Sequence, residues 1–175
     1  MIRLSELTTT RITRDRRAEP GHVVVRLLDD ALFDYPFIFM SDVGTAGFSA
    51  DEAARLRAYL LKGGFLWVDD FWGPRAWNRW VAEIGRVLPP SIYPIVDAGP
   101  THPICNGLHD VAQIPQISSI RFWRMMGGRT TSKRGGMTAE PHFRGIADAH
   151  GRLLVVMSHN TDIADGWERE GEDYE

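Results

Sequence analysis

The feature that most constrains the fold is an alternation of short apolar runs with amphipathic segments. Apolar residues fill Phe37–Met40, a continuous run typical of a strand covered on both faces. Ser49 and Glu52 then have the spacing of a capping box, and apolar residues recur with helical period until Gly63. A second apolar run, Phe65–Val68, follows at once. The pattern therefore predicts a strand–helix–strand unit.

A second helix and a third strand continue this pattern. Pro74 suits the first turn of a helix, and apolar residues repeat at helical spacing over Trp77–Leu88 until Pro89 ends it. A strand is predicted at Ile92–Val96, where Pro94 removes a donor from the ladder and indicates an edge position. Strands that alternate with helices predict a three-layer α/β fold with a mostly parallel sheet.

Further segments complete the predicted secondary structure. A β-branched run predicts a strand at His22–Leu28. Residues Arg129–Phe143 are rich in Gly, Thr and basic residues and lack periodicity, which predicts a long mobile loop at 129–143. Gly145–Ala149 and Arg152–Ser158 flank a His-Gly pair, and this arrangement predicts a hairpin.

The composition is that of one globular domain over residues 1–175. A chain of 175 residues with 43% hydrophobic and 25% charged residues can bury a substantial core. The net charge of −3 gives no global attraction to nucleic acid or anionic lipid. No apolar run approaches the roughly 18 residues of a membrane helix, and the N-terminus lacks the apolar centre of a secretory signal. The single Cys105 excludes an internal disulfide, and the compartment is left open.

Polar residues follow three of the predicted strands, and this convergence is the main functional signal. Ligands of open α/β sheets bind beyond the carboxyl ends of the strands. The candidate ligand-binding residues at this end are Asp42, Asp69, Asp70, Trp72, His159, Asn160, Asp162 and Asp165. Carboxylates with an imidazole suit a divalent cation, with Asp69, Asp70 and His159 as metal candidates, or general acid–base chemistry.

Several of these residues also have a structural interpretation. Asp70 can satisfy backbone donors at the start of a helix, and Asp42 can form an Asx turn. His159 and Asn160 can satisfy loop carbonyls. Lys133-Arg134-Gly135-Gly136 could contact a phosphate or simply be an exposed loop. The P-loop, dinucleotide and nucleophile-elbow motifs are absent from the sequence.

Two stretches resemble the bacterial DUF4159 family. The first joins Asp34–Met40 to Leu60–Gly73, which contains the run Gly-Gly-Phe-Leu-Trp-Val-Asp-Asp-Phe-Trp-Gly. The second joins Gly151–Leu154 to Ser158–Asp162 and Asp165–Glu168. The resemblance covers nearly the whole chain. It implies a class I glutamine amidotransferase-like, flavodoxin-related fold and leaves the function open.

The resemblance also bears on catalysis and on completeness. In catalytic amidotransferases the strand after the Gly-Gly stop delivers a cysteine, whereas Val68–Phe71 contains neither cysteine nor serine, so a thiol-dependent glutaminase is not expected. Relatives usually carry a strand before Leu4 and a helix and strand after Tyr174, so the chain is expected to be a fragment with an exposed sheet edge open to oligomerisation. Many relatives begin with an export signal or membrane segment, which leaves the location open.

Three functions are compatible with these sequence features. The first is a non-amidotransferase domain that binds a small polar ligand, such as a sugar or a metal-bound metabolite, at the acidic strand ends. The second is a metal-assisted hydrolase that uses the same carboxylates with a divalent cation. The third is a protein-interaction module in which the acidic residues are only caps.

Overall fold

The computed structural model describes residues 21–107 and 109–167, together with Arg14 and Arg16. Within this part of the chain five strands and four α-helices form an α/β fold. The strands are β1 (Phe37–Ser41), β2 (Phe65–Phe71), β3 (Ile95–Asp97), β4 (His142–Ala147) and β5 (Leu153–His159). The helices are α1 (Ala50–Leu61), α2 (Gly73–Val87), α3 (Ile120–Met125) and α4 (Ile163–Trp167).

The strands form one mixed sheet in the order β1-β2-β5-β4-β3. The first three strands in this order run parallel, while β4 is antiparallel to β5 and β3 is antiparallel to β4. Four strands therefore run in one direction and β4 alone runs the opposite way, so the predicted mostly parallel sheet differs from the structure at β4. The predicted hairpin explains the difference. A tight turn closed by Gly151, whose φ is +80°, pairs β4 with β5 and separates β3 from β2.

Three sequence predictions need correction. His22–Leu28 is not a strand: the backbone N–H of Arg26 donates to the Asp29 carboxylate, and Asp29 donates back to the Arg26 carbonyl, so a turn begins there. The edge strand predicted at Ile92–Val96 begins only at Ile95, because Ile92 and Tyr93 still donate to the Pro89 carbonyl.

The loop predicted at 129–143 needs correction only at its end. It contains a 3₁₀ turn at Gly135–Thr138, and its last two residues belong to β4. Thr138 is fully buried, and its hydroxyl lies 2.6 Å from that of Ser132. The segment is therefore hydrogen-bonded within itself, and its mobility stays a prediction.

The main core lies on one face of the sheet, beneath α1 and α2. Ser49 and Glu52 form the predicted capping box at the start of α1, which places Leu56 and Leu60 over the strands. Trp80 and Ile84 do the same from α2. The strand residues that meet them alternate along the chain, and they are Ile38, Leu66, Val68, Val155 and Met157.

The opposite face of the sheet is aromatic. Phe39 of β1 lies 6.4 Å from Trp67 of β2, measured between ring centroids, and Trp67 lies 6.2 Å from Phe143 of β4. Trp167 at the end of α4 covers both Phe39 and Trp67, at 5.8 and 5.3 Å. Helices therefore contact both faces of the sheet. Among the residues described, no helix has the length and apolar character needed to cross a membrane.

The close approach of Gly64 to Tyr59 gives a test of the α1–β2 connection. A Cβ atom on Gly64 would lie 2.3 Å from the Tyr59 ring, which is buried and whose hydroxyl donates to the Tyr35 carbonyl at 2.8 Å. We expect Gly64→Ala to lower the free energy of unfolding by about 2 kcal/mol, because the ring must move. Urea denaturation measures the loss.

Gly99→Ala is the matched control for this substitution. Nothing lies within 4 Å of a Cβ at Gly99, and its φ is outside the left-handed region. Its effect should stay within about 0.5 kcal/mol. Equal losses in the two variants would contradict the proposed contact with Tyr59.

Candidate functional site

Three neighbouring parallel strands end at a residue with left-handed backbone geometry. Asp42 follows β1 with φ of +51°, Asp70 near the end of β2 has φ of +51°, and Asn160 follows β5 with φ of +61°. They are the only non-glycine residues with positive φ in the described part of the chain. This geometry costs about 1 kcal/mol or more for each L-residue. Backbone strain is thus concentrated at one end of the sheet.

An open cleft of about 480 Å³ lies beyond the ends of β1 and β2, beside the start of α2. Gly44 forms one wall, because a Cβ there would lie 2.6 Å from that of Ala76. The absence of a side chain lets the loop after β1 rest directly on α2. The lining residues are Asp42, Gly44, Thr45, Trp72, Arg75, Ala76, Arg79 and Arg134.

Three arginines make the cleft basic. Arg79 is oriented by its Nε, which donates to the Ala46 carbonyl at 2.8 Å, and by Glu83 at 3.6 Å. Arg75 and Arg134 are exposed, and neither guanidinium has a hydrogen bond or ion pair within the described residues. Asp42 is the single carboxylate among the lining residues. The cleft therefore presents an excess of positive charge suited to an anion.

Asp70 and Lys133 hold Trp72 in place. The indole Nε1 donates to Asp70 Oδ1 at 2.7 Å, and the Lys133 ammonium lies 2.7 Å from the same oxygen. This ammonium also lies 4.9 Å from the centre of the Trp72 ring and 3.5 Å from Asp162 Oδ2. Asp70 is thus not a lining residue of the cleft. It holds the tryptophan that is.

Asp162 and Asp165 lie at the start of α4. The backbone N–H of Asp165 donates to Asp162 Oδ1 at 3.2 Å, so Asp162 serves as a cap. Asp162 is 7% exposed. Burial, the hydrogen bond from the side chain of Asp165 and the charge of Asp70 raise the pKa of Asp162 to about 7. A carboxyl in this environment carries a proton over part of the physiological range.

His159 and Asn160 hold the turn between β2 and α2. Asn160 Oδ1 accepts from the backbone N–H of Gly73 at 2.8 Å, and its amide nitrogen donates to the Glu140 carbonyl at 2.9 Å. His159 Nε2 lies 3.2 Å from the Gly73 carbonyl. Burial lowers the pKa of His159 to about 4. The structural interpretation of both residues is therefore supported by their contacts.

The predicted metal ligands do not converge. Asp69 is fully buried on the aromatic face, where it accepts from the backbone N–H of Ala164 at 2.9 Å. Asp70 turns to Lys133 and His159 to Gly73. Among the residues described, no three or more His, Cys, Asp or Glu side chains are placed to hold a metal ion. The geometry gives the predicted cation site no support.

Cys105 also stands apart from the cleft. It is 3% exposed, its thiol donates to the Ala98 carbonyl at 3.5 Å, and burial raises its pKa. A thiol held in this way does not form a thiolate readily.

Two lining residues, Asp42 and Trp72, are among the candidates predicted from the sequence, whereas two of the arginines are not. Arg75 and Arg79 are four residues apart in the first turns of α2, directly after a predicted strand end. That spacing places both on one helix face and is a signal that the sequence contains. The sequence indicates Arg134 only as part of a basic segment that could contact a phosphate.

Comparison with known proteins gives a family. The sequence model of DUF4159, a domain of unknown function, matches residues 2–175, and the chain belongs to this family. No curated protein matches the sequence. The family relationship therefore identifies relatives without assigning a reaction.

No hydrogen bond of the Asp42 side chain compensates for its left-handed backbone, and this gives a second test. Its side chain is exposed and makes no hydrogen bond within the described residues, whereas Asn160 makes two. We expect Asp42→Gly to raise the free energy of unfolding by about 0.5–1 kcal/mol by relieving the left-handed geometry. Asn160→Gly should lower it by about 2 kcal/mol despite the same relief, since buried backbone groups lose their partners. Urea denaturation compares them, and losses in both variants would refute the distinction.

The raised pKa of Asp162 gives a third test. The folded chain holds a proton that the unfolded chain releases near pH 3.9, so the contribution to stability is complete below that pH. It is lost as the pH rises towards about 7. We expect Asp162→Asn to gain stability relative to the wild type by about 1 kcal/mol per pH unit between pH 5 and 6.5. Urea denaturation across this range measures it, and a constant difference would contradict the assignment.

Proposed function

We propose that this domain binds a small anionic ligand in the cleft beyond β1 and β2. The observation that carries the proposal is the presence of three guanidinium groups, those of Arg75, Arg79 and Arg134, around one open cleft. Two of them have no protein partner among the described residues. The ligand is a carboxylate or phosphate compound, because the planar guanidinium fork matches the oxygens of both groups.

The start of α2 supports the choice of an anion. This helix runs for 15 residues, so its dipole adds positive potential at the end that faces the cleft. Its first backbone N–H, at Gly73, is already held by Asn160, and Pro74 has none to offer. Charge recognition therefore falls to the arginine side chains, with the helix dipole as a background contribution.

Trp72 gives the cleft a small apolar border. The polar nitrogen of the indole is satisfied by Asp70, and Lys133 lies over its ring. Because Trp72 is only 6% exposed, little of the ring surface is open to a ligand. A volume of about 480 Å³ suits a metabolite-sized compound.

We also propose that the fold is class I glutamine amidotransferase-like and flavodoxin-like, with binding in place of thiol chemistry. Two features support this relationship: the parallel β1-β2-β5 part of the sheet, and the strand–turn–helix at β2 and α2. Asp70 lies in this turn with positive φ, and its carboxylate is engaged by Trp72 and Lys133. In the amidotransferases this place holds the reactive cysteine.

Thermal unfolding with a ligand panel tests the function. We expect inorganic phosphate, pyrophosphate and citrate at constant ionic strength to raise Tm in proportion to the logarithm of their concentration, while glucose has no effect. Arg75→Gln and Arg134→Gln should each weaken the binding about tenfold, since each removes a charge-assisted hydrogen bond.

Arg26→Gln is the matched control for the cleft arginines. Arg26 is exposed, lies outside the cleft, and makes only backbone hydrogen bonds. Its Tm shifts should equal those of the wild type. Equal shifts in an Arg75→Gln/Arg134→Gln double variant would refute the proposed site, and so would a shift with glucose of the same size as that with the anions.

A further inference from the structure

A helix with no buried side chain lies outside the cleft. Every residue of α3 is at least partly exposed. Trp123 is 42% exposed, Met125 72% and Met126 37%. Exposure of this extent is unfavourable for large apolar groups, and three of them within four residues of the chain indicate a surface that another body covers.

The exposed side chains of α3 belong to an ordered segment. The Ser119 hydroxyl accepts from the backbone N–H of Phe122 at 3.3 Å and caps the helix. Gly127 and Gly128, with φ of +63° and +70°, end it, and the Gly128 N–H donates to the Trp123 carbonyl. A Cβ at Gly128 would lie 3.0 Å from the Trp123 ring, so the indole packs on this glycine turn. The apolar side chains are held outward by this helix and turn.

The same region is basic. Residues 111–139 contain five basic residues and no acidic one, although the whole chain has a net charge of −3. Lys133 is paired with Asp70. Arg121, Arg124 and Arg129 are exposed, and none of them pairs with a carboxylate within the described residues. Arg129 folds back on the helix, with its Nε 3.3 Å from the Met126 carbonyl.

We propose that this α3 surface docks on an anionic lipid bilayer. The surface is defined by Arg121, Trp123, Arg124, Met125, Met126 and Arg129. Indole and thioether side chains are suited to the boundary between headgroups and acyl chains, and the arginines lie where they can pair with lipid phosphates. The binding is peripheral, because α3 is six residues long and lies at the surface.

The charge and the side-chain types of the α3 surface favour a lipid bilayer over single-stranded nucleic acid. Single-stranded nucleic acid is bound through several aromatic stacking platforms, whereas this surface offers one indole and two flexible methionines. The overall negative charge does not oppose docking at short range, because salt screens charges beyond about 8 Å. The local arginines therefore dominate the interaction of this surface with a membrane.

Vesicle co-sedimentation of the full chain tests the proposal. We expect binding to vesicles that contain phosphatidylcholine and about one-third phosphatidylglycerol, little binding to phosphatidylcholine alone, and weakening with added salt. Arg121→Gln/Arg124→Gln should weaken the binding about 30-fold, which corresponds to about fivefold for each arginine. Met125→Ser/Met126→Ser should weaken it at high salt as well as at low salt.

Matched variants separate this surface from general stickiness and from the cleft. Arg26→Gln and Ile92→Ser change an exposed arginine and a 64% exposed apolar residue elsewhere, and both should bind as the wild type does. Arg75→Gln changes the cleft and leaves segment 111–139 intact, so it should bind vesicles normally, and a failure of the proposed cleft site would not affect this proposal.

Three results would overturn the proposal. The first is no binding to anionic vesicles at low salt. The second is binding that the arginine and methionine variants do not reduce, with their fold verified by circular dichroism. The third is sedimentation velocity showing a dimer that these variants abolish, which would make a second copy of the chain the occupant of the α3 surface.

Discussion

The contact between Asn160 and Gly73 sets the geometry on which the rest of the strand-end region depends. Asn160 leaves β5 with left-handed backbone, donates its N–H to the Phe71 carbonyl, and accepts the Gly73 N–H through its side chain. The neighbouring His159 binds the carbonyl of the same glycine. The end of β5 thereby fixes where β2 stops and where α2 starts. Trp72 precedes this glycine and Arg75 follows it by two residues, so their positions in the cleft depend on a contact with a residue 87 positions further along the chain.

Charge segregation explains why an acidic set of candidate residues surrounds a basic cleft. The carboxylates of Asp69 and Asp162 are buried beneath the strand ends, where backbone donors bind them, and Lys133 lies between Asp70 and Asp162. These negative charges are largely used inside the protein. The guanidinium groups remain outside, because they lie on the exposed side of α2 and on the loop that crosses it. Counting the carboxylates at the strand ends therefore predicts a negatively charged cleft, whereas the cleft carries an excess of positive charge.

The sequence predicted those parts of the structure that depend on local patterns. The capping box at Ser49 and the glycine stop after α1 are determined by nearby residues, and β3 is at the predicted edge although Pro94 lies just before the strand. The insertion of β5 between β2 and β4 depends on long-range pairing, and no local pattern indicates it. Within the site, the sequence did not predict the directions in which the side chains point. Asp69 and Asp70 are adjacent, yet one lies against α4 and the other against Trp72, because the chain leaves the strand conformation at Asp70. The sequence predicted a small polar ligand at the strand ends, but it predicted an acidic site there, and neither the basic cleft nor the α3 surface is among its predictions.

The α3 surface and Arg134 of the cleft belong to the acid-free segment 111–139, and one residue ties that segment to the strand ends. The amide nitrogen of Gln116 donates to the carbonyls of Thr138 and Asn160, and its oxygen accepts from the Thr131 hydroxyl. Thr138 in turn binds the Arg134 N–H. The segment that carries Arg134 into the cleft is therefore anchored on the same asparagine that holds Gly73. Because α3 lies between Gln116 and Thr131 in the chain, its outward placement is set by the same anchor. A helix with basic and apolar side chains can stay exposed here because the residues on either side of it are fixed to the sheet.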